Sequence, residues 1–388
     1  MEKPLWMICI THMFLEVYLL TQVALIPVII REFQLSLLEA SLVATVPSLI
    51  ALLMNIPSGF LADRFNTKHL LFASMLIEGG SALLVSQTNN FWMLVLGVSF
   101  LKISSPLYHI SGLSHVSRIA EPQQVSRSMG FHNALGSLGS ALGVVGLAVF
   151  LSTMGWRWTY LFWAFPVLIW GFIILKSSQL KTKRFEQTER KSGNRLRRLP
   201  LIFSSGLLIF LIAISFREVG SKGSSTFMTT YFVKTRNIFE STASLIFGLG
   251  PFVGIVGSLS GGYFGEKIGA KKTLSWAIIG CAISLSMLSA VSQLYFLITV
   301  YILYAFFSNA MWSPMNTIVA DVTPVTDRGL GFSVYFFTEG LIASVAPTLA
   351  AGVIVLSDVW FIFPFSTVFM LTGLIILQFL PASRNKWQ

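Results

Sequence analysis

Apolar residues in this chain come in blocks separated by short polar breaks, and the blocks do not alternate: YLFWAFPVLIWGFIIL at 160–175 is apolar on every side. A helix needs roughly 20 apolar residues to cross the hydrocarbon of a bilayer, whereas a membrane barrel is built from short strands of alternating polarity. The pattern therefore predicts twelve helical segments, at 5–30, 38–62, 69–88, 91–117, 127–151, 156–175, 201–232, 242–264, 272–291, 295–320, 329–356 and 359–380. They leave no room for a sizeable soluble domain, so the expected fold class is an all-α membrane protein.

Composition agrees with that reading. A chain of 388 residues that is 54% hydrophobic and 11% charged, with 33 Phe, has too little polar surface to dissolve in water. The formal charge of +11 would point to nucleic acid in a soluble protein, but here its distribution among the loops is what carries information. With the amino terminus placed in the cytoplasm, cytoplasmic segments hold 20 Lys and Arg. External loops hold 4 (Arg31, Arg157, Lys234, Arg236), and the remaining 3 of the 27 (Lys102, Arg217, Lys222) lie inside segments. That asymmetry predicts a multi-pass protein of the cell (inner or plasma) membrane with both termini cytoplasmic and no nucleic-acid partner.

The richest basic stretch, KSSQLKTKRFEQTERKSGNRLRR at Lys176 to Arg198, divides the chain almost equally. The expected organisation is a six-helix bundle at 1–175, a basic cytoplasmic linker at 176–199 that also meets anionic lipid headgroups, and a second bundle at 200–388. Two cysteines, Cys9 and Cys281, offer no metal or redox spacing, so no disulfide, metal or cofactor is expected. The first apolar block is too long for a signal-peptide core and lacks a small-residue cleavage site, which predicts that it is retained.

The two halves repeat each other. GFLADRFNTK at Gly59 to Lys68 returns 203 positions later as GYFGEKIGAKK at Gly262 to Lys272, and RSMGFHNALGSLG from Arg127 answers RGLGFSVYFFTEG from Arg328 at an offset of 201. In each copy of the first pair a glycine ends one apolar block, an acid and a base follow, and a lysine opens the next block. Gly59, Asp63, Arg64 and Lys68 thus correspond to Gly262, Glu266, Lys267 and Lys271.

These residues resemble the major facilitator superfamily, whose signature after its second helix is Gly-x-Leu-Ala-Asp-Arg-x-Gly-Arg-Lys. Gly59, Leu61, Ala62, Asp63, Arg64 and Lys68 agree with it, Asn66 and Thr67 depart from it, and the second copy keeps Gly269 and Lys271. The resemblance covers essentially the whole chain. It implies twelve transmembrane helices in two pseudo-symmetric six-helix bundles, a monomer, and secondary transport of a small molecule by alternating access. It also implies that both loop copies act as a conformational latch. A tight topogenic turn is the plainer alternative. A narrower resemblance, to the fosmidomycin-resistance branch, rests on His12, Glu16 and Tyr18 and on PLYHISGLSHVSR at 106–118. Gly130, Gly139 and Gly143 match the glycine spacing of the antiporter motif of drug exporters, although Val144 stands where that motif has proline; close helix packing explains the same glycines.

Ionisable side chains at bilayer depth are costly and mark pathways by default. His12 and Glu16, four apart on one helix face, and Glu339 are candidates for proton coupling, the alternative for Glu16 being a static ion pair with Lys102 or Arg217. Glu218 and Lys222 are spaced as a local pair, which leaves Arg217 pointing elsewhere as the freer cation, available to an anionic group. GSKGSS at 220–225 predicts a kinked or partly unwound seventh segment. Asn309, Trp312, Ser313 and Asn316 predict one water-facing stripe, with Tyr18, Gln22, Lys102 and His109 as further substrate-binding candidates alongside Arg217 and Glu218. Glu78 has no evident partner. No nucleotide-binding loop is present, so energy comes from an ion gradient or from the substrate. The leading expectation is proton-coupled export of a drug-like compound or metabolite. The second is an organic-anion carrier using Arg217 and Lys102, and a receptor built on a transporter scaffold comes third.

Overall fold

The computed structural model describes residues 3–35, 37–178, 180, 205–238 and 240–381, and every regular element among them is helical. In chain order these are α1 (Lys3–Glu16), α2 (Leu19–Phe33), α3 (Leu37–Arg64), α4 (Thr67–Ser86), α5 (Phe91–Ile119), α6 (Val125–Thr153), α7 (Arg157–Lys176), α8 (Ser205–Lys234), α9 (Glu240–Gly248), α10 (Gly250–Ile268), α11 (Ala270–Ala290), α12 (Leu294–Ala310), α13 (Trp312–Val322), α14 (Arg328–Leu356) and α15 (Ile362–Gln378). α1 and α2, α9 and α10, and α12 and α13 each adjoin across a break of one or two residues. Counted as single rods, they bring the helices to the twelve that the hydropathy pattern predicts. Two of the breaks have a chemical cause: Pro251 and Pro314 lack the N–H that would bond back across Leu249 and Met311. Most of the basic linker, 181–199, lies outside the described residues.

Among the described residues, eleven helical stretches are long and apolar enough to cross a membrane. α8 is absent from that set because it carries Arg217, Glu218 and Lys222 in its interior, which is itself a reason to look there for function. Turns between helices follow local chemistry. The Asn66 side chain accepts from Lys68 N at 3.0 Å and caps α4. Gly155 and Gly269 join α6 to α7 and α10 to α11 at φ +96° and +91°, where a side chain would be strained.

The chain forms two compact units, Met1–Ile119 with Leu135–Asn194 and Thr326–Phe336, and Ala120–Ala134 with Arg195–Val325 and Phe337–Gln388. The internal packing of the two repeats: α3 on α5, α4 on α5 and α4 on α7 in the first, α10 on α12, α11 on α12 and α11 on α15 in the second. This is the duplication read in the loops, expressed as helix contacts. Beyond the first span, Glu32 accepts from Trp156 Nε1 and pairs with Arg157 Nη2, both at 2.6 Å. Burial alone would raise its pKa, but those two donors outweigh it and hold the carboxyl below its ordinary value.

The seventh predicted segment corrects the expectation of a broken helix. α8 runs unbroken from Ser205 to Lys234 through GSKGSS. Its glycines serve packing instead: a Cβ on Gly220 would stand 2.5 Å from the Ser366 carbonyl of α15, and one on Gly223 3.5 Å from the Ala350 methyl of α14. Ser224 returns its hydroxyl proton to the Gly220 carbonyl at 2.9 Å, so the polar run stays satisfied within the helix.

Candidate functional site

Among the described residues, each unit holds a cluster of buried ionisable side chains within its helices. In the first, α1 presents His12 and Glu16 one turn apart and α5 presents His109 between them. His12 Nε2 lies 3.1 Å from His109 Nε2 and 3.6 Å from Glu16 Oε1, and His109 Nε2 lies 3.4 Å from the same oxygen. The three side chains are only 7%, 18% and 12% exposed (His12, His109, Glu16), so their polar atoms face one another more than water. His109 Nδ1 stands 3.0 Å from the Ser105 carbonyl and 3.2 Å from the Ser105 hydroxyl; in the neutral tautomer that donates Nδ1–H to the carbonyl, Nε2 is an acceptor turned toward Glu16. Tyr108 stacks on the His12 ring at 5.5 Å and donates its hydroxyl to the Ile8 carbonyl at 2.6 Å, tying α5 to α1. Gly136 of α6 leaves the volume the His12 ring fills, since a Cβ there would strike the ring.

Lys102, also on α5, lies close enough to interact electrostatically with both Glu16 and Glu78. The Glu78 carboxylate accepts from the Ser104 hydroxyl, giving this acid of α4 the partner its sequence position leaves undefined. Tyr18 donates to the Tyr160 carbonyl at 3.2 Å and stacks on the Tyr160 ring, so its hydroxyl is committed to the interior of the first unit. Gln22 Nε2 is buried with no hydrogen-bond partner among the described residues.

In the second unit Arg217 of α8 sits 3% exposed between two carboxylates, hydrogen-bonded to Glu218 and 3.5 Å from Glu339 of α14. Its guanidinium lies 5.6 Å from the centroid of the Trp312 ring. Lys222 reaches Glu218 at 3.8 Å, as the spacing predicts. The expectation that Arg217 points away from Glu218 is corrected: neighbouring residues diverge by about 100° on a helix, but the long arginine stem folds back and the buried charge takes the nearest acid. The water-facing stripe is corrected too. Ser313 and Asn316 are buried, the Ser313 hydroxyl donating to the Ser126 carbonyl, and Asn309 turns Nδ2 to the Ala305 carbonyl at 2.8 Å. The break at Met311 separates Asn309 from the other three.

The duplicated loops occupy a third kind of site. Asp63, at the end of α3, accepts from the backbone N–H of Gly329 and Leu330 at 2.9 and 3.0 Å and from Arg118 Nη2 at 2.8 Å, all within the first unit. Arg328 donates to the Ser117 carbonyl beside it. A Cβ on Gly59 would stand 2.5 Å from the Ser333 Cβ. In the second unit Gly262 meets Gly130, a Cβ on either lying 2.8 Å from the other's Cα, while Glu266 stays 4.0 Å from Arg127. Arg64 is exposed and Lys267 lies over the Tyr263 ring at 4.5 Å. Lys68 donates to the Ser177 carbonyl at 3.2 Å, and Lys271 to those of Gln378 and Leu380 at 2.8 and 2.7 Å.

The profile of the major facilitator superfamily matches residues 7–238 and 211–388. The chain belongs to that superfamily. It is a multi-pass integral membrane protein. Over 135 residues it is 24% identical to a Staphylococcus carnosus protein named "Probable nitrate transporter NarT", a match covering 35% of this chain and 34% of that one. Over 136 residues it is 26% identical to the "Nitrite extrusion protein" of Bacillus subtilis, with the same coverage. The chain thus matches about a third of the length of each of these relatives. A crystal structure of a bacterial homologue of the iron transporter ferroportin in its outward-facing state is similar in fold, with TM-score 0.79 and 12% identity over 97% of this chain and 99% of that one. The named relatives are anion transporters rather than members of a drug-exporting branch.

As a superfamily member the chain keeps the signature acid but relies on partners that the sequence reading passed over. Arg118 stands in the sequence as the basic end of PLYHISGLSHVSR with nothing to pair it with Asp63, and the amides of Gly329 and Leu330 carry no side-chain signal. The match of RSMGF with RGLGF was the one hint that this helix start receives something. The glycines of the supposed antiporter motif are accounted for by packing. A Cβ on Gly139 or Gly143 would strike the Met13 or Val17 carbonyl of the first rod, and Gly130 meets Gly262.

Proposed function

We propose that this transporter carries a small oxyanion together with a proton, using Arg217 as the receiving cation and Glu339 as the group whose protonation admits the anion. The observation that carries this reading is the sharing of one buried guanidinium between Glu218 and Glu339. A buried arginine must keep an anionic partner, because leaving it alone costs about 3–5 kcal/mol. When Glu339 is ionised that need is met from within the protein. Protonation of Glu339 withdraws one partner, and a solute anion takes its place, so anion and proton travel together. Glu218 stays in place because it is also held by Lys222. A planar guanidinium beside the Trp312 ring suits planar anions such as nitrate, nitrite or a carboxylate.

The nitrate and nitrite transport named for the two relatives supports an anion over a drug-like compound, and the close packing of the α6 glycines gives them a role that needs no antiporter motif. The test is purified protein in sealed vesicles with an imposed pH gradient and nitrite, nitrate or a short carboxylate as solute. Wild type is expected to accumulate the anion with proton entry. Glu339→Gln should retain exchange at equal pH but lose accumulation, and Arg217→Lys should cut transport by about tenfold or more. Acid-driven accumulation that survives Glu339→Gln defeats the proposal.

A further inference from the structure

The cluster of the first unit, formed by α1 and α5, has a geometry that also suits a cation larger than a proton. In the neutral tautomer that donates Nδ1–H to the Ser105 carbonyl, His109 Nε2 and Glu16 Oε1 are two acceptors 3.4 Å apart. His12 can direct one Nε2 proton toward one of them and leaves the other facing a lone pair. A cation at the centre satisfies all three atoms at once. An ion held tetrahedrally at roughly 2.0–2.1 Å separates its ligand atoms by about 3.3–3.4 Å. The three edges here are 3.1, 3.4 and 3.6 Å.

We propose that His12, Glu16 and His109 form a binding site for a first-row divalent transition-metal ion of the zinc type, with a fourth position open to water or a small anion. All three ligand atoms lie within 4.8 Å of one another. Two imidazoles and one carboxylate exclude calcium and magnesium, which take oxygen ligands, and suit zinc, cobalt or ferrous iron. The supporting shell is present as well. His109 donates its other nitrogen to a backbone carbonyl, which orients metal-binding imidazoles, and the Ser140 hydroxyl lies 3.5 Å from Glu16 Oε2. Tyr108 stacked on His12, Phe336 edge-on to His109 at 5.7 Å and the space left by Gly136 hold both rings in place without offering competing charge. Lys102 acts electrostatically on Glu16 and Glu78 and so lowers the affinity for a cation.

The test uses the full-length protein, freed of any affinity tag and stripped of metal, titrated with Co(II) and followed by its visible ligand-field bands, with Zn(II) as competitor. The expected result is one saturable ion per chain with a tetrahedral spectrum that Zn(II) abolishes. Affinity should fall as pH is lowered from 8 to 6, because imidazole and carboxylate must be unprotonated to bind. His109→Gln and Glu16→Gln should each weaken binding by about 100-fold or more, and His69→Gln, at an exposed position, should leave it unchanged. Wild-type protein that gives only the weak spectrum of hydrated Co(II) shows the triad to be a proton site and overturns the proposal, whatever the variants do. So does binding that survives Glu16→Gln in protein whose thermal midpoint is unchanged.

Discussion

The two copies of the duplicated loop began as one design and now do different work. In the first, Asp63 is 13% exposed and holds three donors, two of them the backbone N–H groups that open α14 and the third the half-buried Arg118. In the second, Glu266 is 27% exposed and its partner Arg127 56%, at 4.0 Å. The glycines kept their role in both copies, admitting a facing helix, and the lysines kept theirs, capping the carbonyl end of α7 or α15. The acid diverged, as did the base beside it, since Arg64 is exposed and Lys267 lies over the Tyr263 ring. A carboxylate becomes a clasp when free helix-start amides and a desolvated arginine converge on it, and stays a solvated surface charge when they do not.

The most severe way to break this contrast is Asp63→Asn. It removes the carboxylate that Arg118 meets at 2.8 Å and turns a strong acceptor pair into a weak one, which costs about 3–5 kcal/mol for a buried pair and less here because some water reaches it. Ser333 lies beneath the clasp, fully buried, with its hydroxyl on the Asn55 carbonyl at 2.8 Å. A Ser333→Cys reporter in protein lacking Cys9 and Cys281 should therefore label at least about tenfold faster when Asp63→Asn is added, since 1.4 kcal/mol is tenfold in an equilibrium. An unchanged labelling rate removes the clasp from the account. Next in size are Gly59→Ala and Gly262→Ala, which should resemble each other, because each added methyl meets an atom at 2.5 or 2.8 Å. Overpacking of this kind costs about 1–3 kcal/mol. Thermal unfolding of both variants side by side checks whether close approach is the conserved half of the loop.

Much of this was legible in the chain. Twelve apolar blocks and a repeat at 203 positions define the helices because length and polarity decide what can cross a bilayer, and no tertiary detail can override them. Glu218 with Lys222 was legible for a similar reason, being set by helix geometry alone. What sequence spacing misses is reach and depth. Arg217 folds back on its neighbour, GSKGSS stays helical because its glycines meet α14 and α15, and Ser313 with Asn316 turns inward. None of these follows from period or propensity, since each depends on which helix lies opposite. The His12 and Glu16 pair was readable from spacing, but its third member comes from a helix almost a hundred residues away and only the fold brings His109 to it.

Lys271→Met and Lys68→Met come next. Each removes a cation from the carbonyl end of a helix, an interaction of about 0.3–1 kcal/mol. Lys271 reaches two carbonyls under 3 Å and Lys68 one at 3.2 Å, so Lys271→Met should lower the thermal midpoint more than Lys68→Met.

The smallest effect, and the one that sharpens the contrast most, belongs to Glu266→Gln. The residue aligned with Asp63 should here be nearly silent, because an exposed pair at 4.0 Å gains about 0–1 kcal/mol and salt screens what remains. Gln keeps the shape and most of the hydration, so neither unfolding temperature nor transport rate should move beyond error at physiological ionic strength. A small loss that appears at low salt and vanishes at high salt would still fit a solvated charge. A loss as large as that of Asp63→Asn, insensitive to salt, would mean that Glu266 finds buried donors during the transport cycle. The second loop would then be a clasp as well, engaged in a different state from the first.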